Sequence, residues 1–163
     1  MKNTVVSQLF EVFIKRKITL SLAESCTGGA LSATLTAIPN CSQFFLGSVI
    51  AYTNQVKIDL LGVHADLILK EGAVSQSVVL QMAEGICRLT SSDYSLAVSG
   101  VAGPSGGTCE KPVGTVWIAI HCKNKGTHTW CLHLKGNRQE IINETVKDSL
   151  EKLLNHLTQK KQN

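Results

Sequence analysis

Residues Leu20 to Gly29 read Leu-Ser-Leu-Ala-Glu-Ser-Cys-Thr-Gly-Gly. Ile18, Leu20 and Leu22 alternate with Thr19 and Ser21, the period-2 pattern of a strand, which stops at Ala23, Glu24 and Ser25. Beyond the glycine pair, Leu31 and Leu35 are four residues apart, the spacing of a short helix. A strand, a turn of small polar residues and glycines, then a helix predict an α/β fold with a binding turn at the strand end. Amides at a helix start lack intrahelical partners and attract a phosphate or a carboxylate. The same glycines equally suit a tight connection with no ligand, because they relax the backbone. The stretch alone leaves both readings open.

Working outward, Val5, Val6, Leu9, Phe10 and Phe13 fall on one face of a helix over residues 4–16. The first strand is expected at 17–22 and the second at Ser48 to Tyr52, with Pro39-Asn40 ending the intervening helix. Thr53 or Asn54 caps a helix through Val56, Leu60 and Leu61 that stops at Gly62. Ala65 to Lys70 is a shorter helical piece, and Ser75 caps a longer helix with Val78, Val79, Met82, Ala83 and Ile86 inward. Asp93 to Ser99 reads as a third strand running into the glycine-dense loop Gly100 to Gly107. Gly114 to Cys122 and Thr127 to Leu134 form a hairpin across Lys123-Asn124-Lys125-Gly126. Arg138 to Leu157 closes the chain as an amphipathic helix, with a frayed polar tail at 158–163. The order α-β-α-β-α-β-β-α predicts a three-layer α/β/α sandwich with one mixed sheet in a single domain over residues 1–163. Segments 23–29, 52–57 and 100–108 all flank strand ends, where ligands of such sheets bind.

The 163 residues carry 16 Lys and Arg against 12 Asp and Glu, a mild formal charge of +4. Apart from Lys160-Lys161 the basic residues are scattered and not interleaved with aromatics, which argues against a nucleic-acid surface. The opening residues lack the apolar run and cleavage site of a signal peptide, and no stretch reaches membrane-spanning length, so a cytoplasmic protein is expected. The 6 cysteines then stay reduced, and their spacing includes no Cys-x-x-Cys, so no metal site is expected.

The 5 histidines lie away from the glycine loops, and neither a Gly-x-Ser-x-Gly elbow nor a P-loop lysine is present. Gly100, Gly103, Gly106 and Gly107 do not fit the dinucleotide fingerprint, since no helix follows at once. Lys57 is the remaining base candidate. In the first turn of a helix, desolvation and the dipole both lower an amine's pKa, and such an amine deprotonates a serine. Tyr52, at the preceding strand end, would relay a proton or hold the lysine. Ordinary solvated roles for both residues fit the same sequence.

Five ordered segments then carry a resemblance: Ala23-Glu-Ser-Cys-Thr-Gly-Gly29, Ala51-Tyr-Thr-Asn54 with Lys57, Gly72-Ala-Val-Ser75, Val98-Ser-Gly-Val-Ala-Gly-Pro104 and Glu110-Lys-Pro-Val-Gly-Thr-Val-Trp117. Together they closely resemble the CinA C-terminal domain family, the nicotinamide-nucleotide amidohydrolases. The resemblance implies hydrolysis of nicotinamide mononucleotide to nicotinic acid mononucleotide and ammonia, with no metal or organic cofactor. Ser42 is implied as the nucleophile with Lys57 and Tyr52, and Ser25 is a pocket residue and the alternative nucleophile. By the same resemblance, the phosphate of this pyridine nucleotide would sit against Thr27-Gly28-Gly29 or the loop containing Gly103, with Arg138 as its charged partner. Family analogy also implies a homodimer, without nucleic-acid or membrane partners. Longer members carry a preceding domain for which these residues leave no room, so its pyrophosphatase activity is not carried over. Asn40-Cys41-Ser42, Gln55-Val56-Lys57 and Gly136-Asn137-Arg138 depart from the usual family segments without deleting a proposed catalytic group. The last lacks the aspartate often found before the arginine. A pocket that binds the nucleotide without turnover, or an amidase for another small amide, is the competing expectation.

Overall fold

Strand β1 (Leu20–Glu24) is buried at every position, including Ser21 and Glu24. That burial explains why alternation misplaces its end: a central strand covered on both faces need not alternate, so β1 continues through Ala23 and Glu24. The computed structural model describes residues 4–158; of the expected tail, Thr158 still belongs to the closing helix, and 159–163, with Lys160-Lys161, lie outside the described residues.

The opening helix α1 (Val5–Arg16) is capped by Thr4, whose side chain accepts from the Ser7 amide. After β1 come α2 (Ala30–Thr36), a single 3₁₀ turn (Cys41–Gln43) and β2 (Phe45–Ile50). Strand β2 starts three residues earlier than its apolar run suggested, because β1 sets its register: Leu20 pairs with Phe45 and Glu24 with Ile50. Helices α3 (Asn54–Leu61), α4 (Ala65–Glu71) and α5 (Gln76–Thr90) lead to β3 (Tyr94–Gly100). The hairpin of β4 (Thr115–Cys122) and β5 (Gly126–His133) precedes the closing helix α6 (Arg138–Thr158).

The five strands lie in the order β2-β1-β3-β4-β5. β1 is parallel to both β2 and β3, and the hairpin adds two antiparallel strands. Residues of α1, α2 and α6, including Leu9, Phe13, Leu31, Leu35, Ile141 and Leu153, pack one face of the sheet. Leu61 of α3, Ile68 of α4 and Val78, Val79, Met82, Ala83 and Ile86 of α5 pack the other. The three-layer α/β/α sandwich is therefore the fold observed.

Two details aim the site. Gly85 of α5 lies so close to α3 that an added Cβ would fall 1.9 Å from the Leu61 carbonyl oxygen. This close approach seats α3, whose first turn carries Lys57. From β1 the chain moves to β2 on one side and returns to β3 on the other, so the strand order reverses beside β1. A crevice forms at the carboxyl ends of the strands at such a point.

Candidate active site

Each strand that reaches this crevice delivers one group. Ser25 follows β1 directly, and its amide donates to the Val98 carbonyl of β3 at 3.1 Å. Lys57 follows β2, in a helix whose N-cap Thr53 accepts from the Val56 amide. The Lys57 Nζ donates to Ser25 Oγ at 3.1 Å and to the Ala51 carbonyl at 2.7 Å. Ala51 in turn donates its amide to the Glu24 carbonyl at 2.8 Å, closing a ring through the two strand ends.

Lys57 is only 1% exposed, an uncommon state for a lysine without a charged partner. Among the described residues the one ion pair is Lys147 with Glu144, on the surface of α6. Burial pushes the Lys57 ammonium below the ordinary lysine range. Burial also drives the Cys26 thiol up to about 12, so it stays protonated and uncharged. A buried amine with a lowered pKa, in hydrogen-bond reach of a hydroxyl, is the arrangement by which lysine serves as a general base.

These groups line a pocket of about 240 Å³ together with Tyr52, Asn54, Ser99 and Arg138. Buried Ser99 fixes the floor by donating to the Ala73 carbonyl at 2.8 Å. An open groove of about 630 Å³ shares Ala102 and Arg138 with the pocket and extends past Pro104 and Gln139. Arg138 therefore stands where pocket and groove meet. Its guanidinium donates to the Gly103 carbonyl at 2.8 Å and to the Tyr52 hydroxyl at 2.7 Å. Asn137, in place of the aspartate, accepts from the Gln139 and Glu140 amides while Glu140 accepts from the Asn137 amide. This capping box starts α6 and sets the arginine at its first turn.

The structure brings together Ser25, Lys57, Tyr52, Arg138 and Gly103, but not Ser42. Ser42 lies exposed in the 3₁₀ turn ahead of β2, beside the start of β1, where Phe44 accepts from the Leu20 amide. Lys57 lies beyond the opposite end of β2, and six strand residues at about 3.3 Å each separate the two regions. Tyr52 is 56% exposed and its hydroxyl is engaged by Arg138, so it does not hold Lys57.

The expected phosphate cradle is also occupied from within. The buried Glu24 carboxylate accepts from the Thr27 hydroxyl at 2.7 Å and the Gly29, Leu31 and Ser32 amides at 3.0, 3.1 and 2.8 Å. Ser32 Oγ adds a fifth bond at 2.5 Å, and the Gly28 amide goes to the Ser25 carbonyl. Thr27 and Gly29, with Leu31 and Ser32, thus form an internal anion site for Glu24, and the Gly28 amide is spent on the Ser25 carbonyl, so the Thr27 hydroxyl and these amides are left to no substrate. Arg138 is the cation that remains in the pocket. Glu24, Asn54 and Ser99 were not singled out from the sequence. The signal available for Ser25 over Ser42 was strand polarity, since Ser25 and Lys57 both follow strands whereas Ser42 precedes one.

Residues 2–157 match the pattern of the CinA C-terminal domain. The chain is 49% identical over 133 residues to a CinA-like protein of Fervidobacterium nodosum, covering 82% of this chain and 32% of that protein. It is 43% identical over 160 residues to a CinA-like protein of Thermotoga neapolitana, covering 98% and 38%. It therefore spans about a third of the length of these relatives. Among solved structures, the competence/damage inducible protein CihA of Agrobacterium tumefaciens superposes with a TM-score of 0.92 at 36% identity, covering 95% of this chain and 94% of that one. A CinA superfamily protein of Escherichia coli gives 0.88 at 33% identity, with 92% and 87% covered. On this likeness in sequence and fold, the chain belongs to the CinA C-terminal domain family.

Proposed function

We propose that the chain is an amidohydrolase that converts nicotinamide mononucleotide to nicotinic acid mononucleotide and ammonia, with Ser25 as nucleophile and Lys57 as base. The observation that carries this reading is the 3.1 Å contact between the Lys57 amine and the Ser25 hydroxyl inside a buried pocket. Unprotonated Lys57 takes the Ser25 proton as Oγ attacks the carboxamide carbon. Lys57 then returns the proton to the leaving nitrogen, so ammonia departs and an ester on Ser25 remains. Water attacks the ester with Lys57 again accepting the proton, which it passes back to Ser25 as the acid leaves.

The mononucleotide fits the layout with its pyridine ring in the pocket and its ribose phosphate along the groove past Arg138. A guanidinium favours phosphate through paired charge-assisted hydrogen bonds. Ammonia release from nicotinamide mononucleotide by the native chain, Ser25→Ala and Lys57→Ala tests the reading. Turnover by the native chain that collapses in both variants is the expected result. Thermal stabilisation by the nucleotide without ammonia release would overturn it in favour of a binding module.

A further inference from the structure

We infer that Glu24 is a positioning residue for the nucleophile: its buried carboxylate draws the 25–32 turn closed and thereby sets the Ser25 hydroxyl against Lys57. The inference rests on the reading of Ser25 as nucleophile. Glu24 is fully buried, yet no lysine or arginine among the described residues pairs with it, and its carboxylate is met by the five donors of Thr27, Gly29, Leu31 and Ser32. A buried carboxylate costs too much to keep without such compensation. The carboxylate thus holds the turn as firmly as the turn solvates the carboxylate. Three of the donors are main-chain amides, so the contact fixes backbone path rather than side-chain packing.

The bonds reach both neighbours of the site. Ser48 Oγ on β2 lies 2.8 Å from Ser32 Oγ and is the donor of that bond, because the Ser32 proton is given to Glu24. The Glu24 carbonyl accepts from Ala51, whose own carbonyl holds Lys57. Side chain and main chain of one residue therefore constrain the turn bearing Ser25 and the support of its base. A glutamine at this position keeps the shape but turns one acceptor into a donor. Either way round, at least one of the Gly29, Leu31 and Ser32 amides would then face a donor, since the Thr27 and Ser32 hydroxyls can turn to accept but an amide cannot.

The test measures covalent labelling of Ser25 by a fluorophosphonate, located by peptide mass, in the native chain, Glu24→Gln, Ser32→Ala and Lys57→Ala. Rates are expressed per folded molecule, with the folded fraction taken from circular dichroism. Expected are at least tenfold slower labelling in Glu24→Gln and a threefold or greater slowing in Ser32→Ala, which keeps the carboxylate and most of its bonds. For ammonia release from nicotinamide mononucleotide, kcat should fall in step while KM stays within threefold. A residue that only stabilises the fold would lower Tm and leave the labelling rate per folded molecule unchanged, and that result overturns the inference. Should Glu24→Gln fail to fold, native-rate labelling in Ser32→Ala overturns it equally. Failure of native Ser25 to label removes the nucleophile reading and this inference together. Labelling that depends on Lys57 but not on Glu24 or Ser32 removes the inference alone.

Discussion

Lys57 and Ser25 stand 32 positions apart in the chain, yet the lysine amine meets the serine hydroxyl at 3.1 Å with no carboxylate between them. The pair is a product of two parallel strands ending side by side, and it can be separated experimentally from the other serine of the sequence. Ser25→Ala is expected to lower ammonia release by about three orders of magnitude or more, the scale on which loss of a catalytic nucleophile registers. Ser42→Ala retains a fluorophosphonate adduct on Ser25. Peptide mass spectrometry decides, and an adduct on Ser42 in the native chain would reverse the assignment.

Burial lowers the Lys57 pKa, so kcat/KM rises with pH through an acid limb whose midpoint lies below the 10.5 of an ordinary lysine. A limb at or above that value contradicts Lys57 as the base.

The same shift has a signature in stability. Between the lowered folded value and 10.5, the unfolded chain binds the proton that the folded chain has shed. Stability therefore rises with pH across this window and bears the full cost of the buried ammonium below it. Lys57→Met removes that rise. Comparing Tm against pH for the two proteins should give curves that converge at acid pH in slope and diverge within the window, with the native curve climbing.

Arg138→Ala should raise KM for nicotinamide mononucleotide by about tenfold or more, the scale of one charge-assisted contact to phosphate. For nicotinamide riboside, which lacks the phosphate, kcat/KM should change by less than threefold. Equal losses on both substrates would mean that Arg138 acts through its bonds to Tyr52 and Gly103 instead.

Gly85→Ala places a methyl group against the Leu61 carbonyl and must push α3 away from α5. A loss of about 3 kcal/mol is expected from such overpacking, read by urea denaturation. Because α3 carries Lys57, activity per folded molecule should fall as well.

The layered fold was legible because amphipathic spacing in α1, α5 and α6 and the capping residues Thr53 and Ser75 are local signals. Strand β1 was harder to bound, since a strand covered on both faces loses the alternation that marks its end. The same defect hid Glu24, which looks in sequence like the first polar residue of a loop. Lys57 was found because the other base candidates fell away and it stood in the first turn of a helix after a strand, whereas Arg138 entered through the family resemblance. Ser42 drew attention through its likeness to a motif, but position along a strand decides which end of a parallel sheet a residue reaches. The partners of Arg138 were not foreseeable, because Tyr52 lies 86 positions away in the chain.

The ring that joins Ser25, Glu24, Ala51 and Lys57 is wholly main chain at two of its four links and uses the Ala51 carbonyl at a third. Side-chain drift along β2 leaves it intact, whereas a change in chain length does not. One residue inserted between Phe45 and Ala51 would shift the register of β2 against β1 and move the Ala51 amide off the Glu24 carbonyl that holds it. Lengthening the exposed stretch from Pro104 to Glu110 asks nothing of that ring. Homologous chains under selection for this chemistry should therefore carry their insertions after β3 and keep the distance from Glu24 to Lys57 along the fold unbroken.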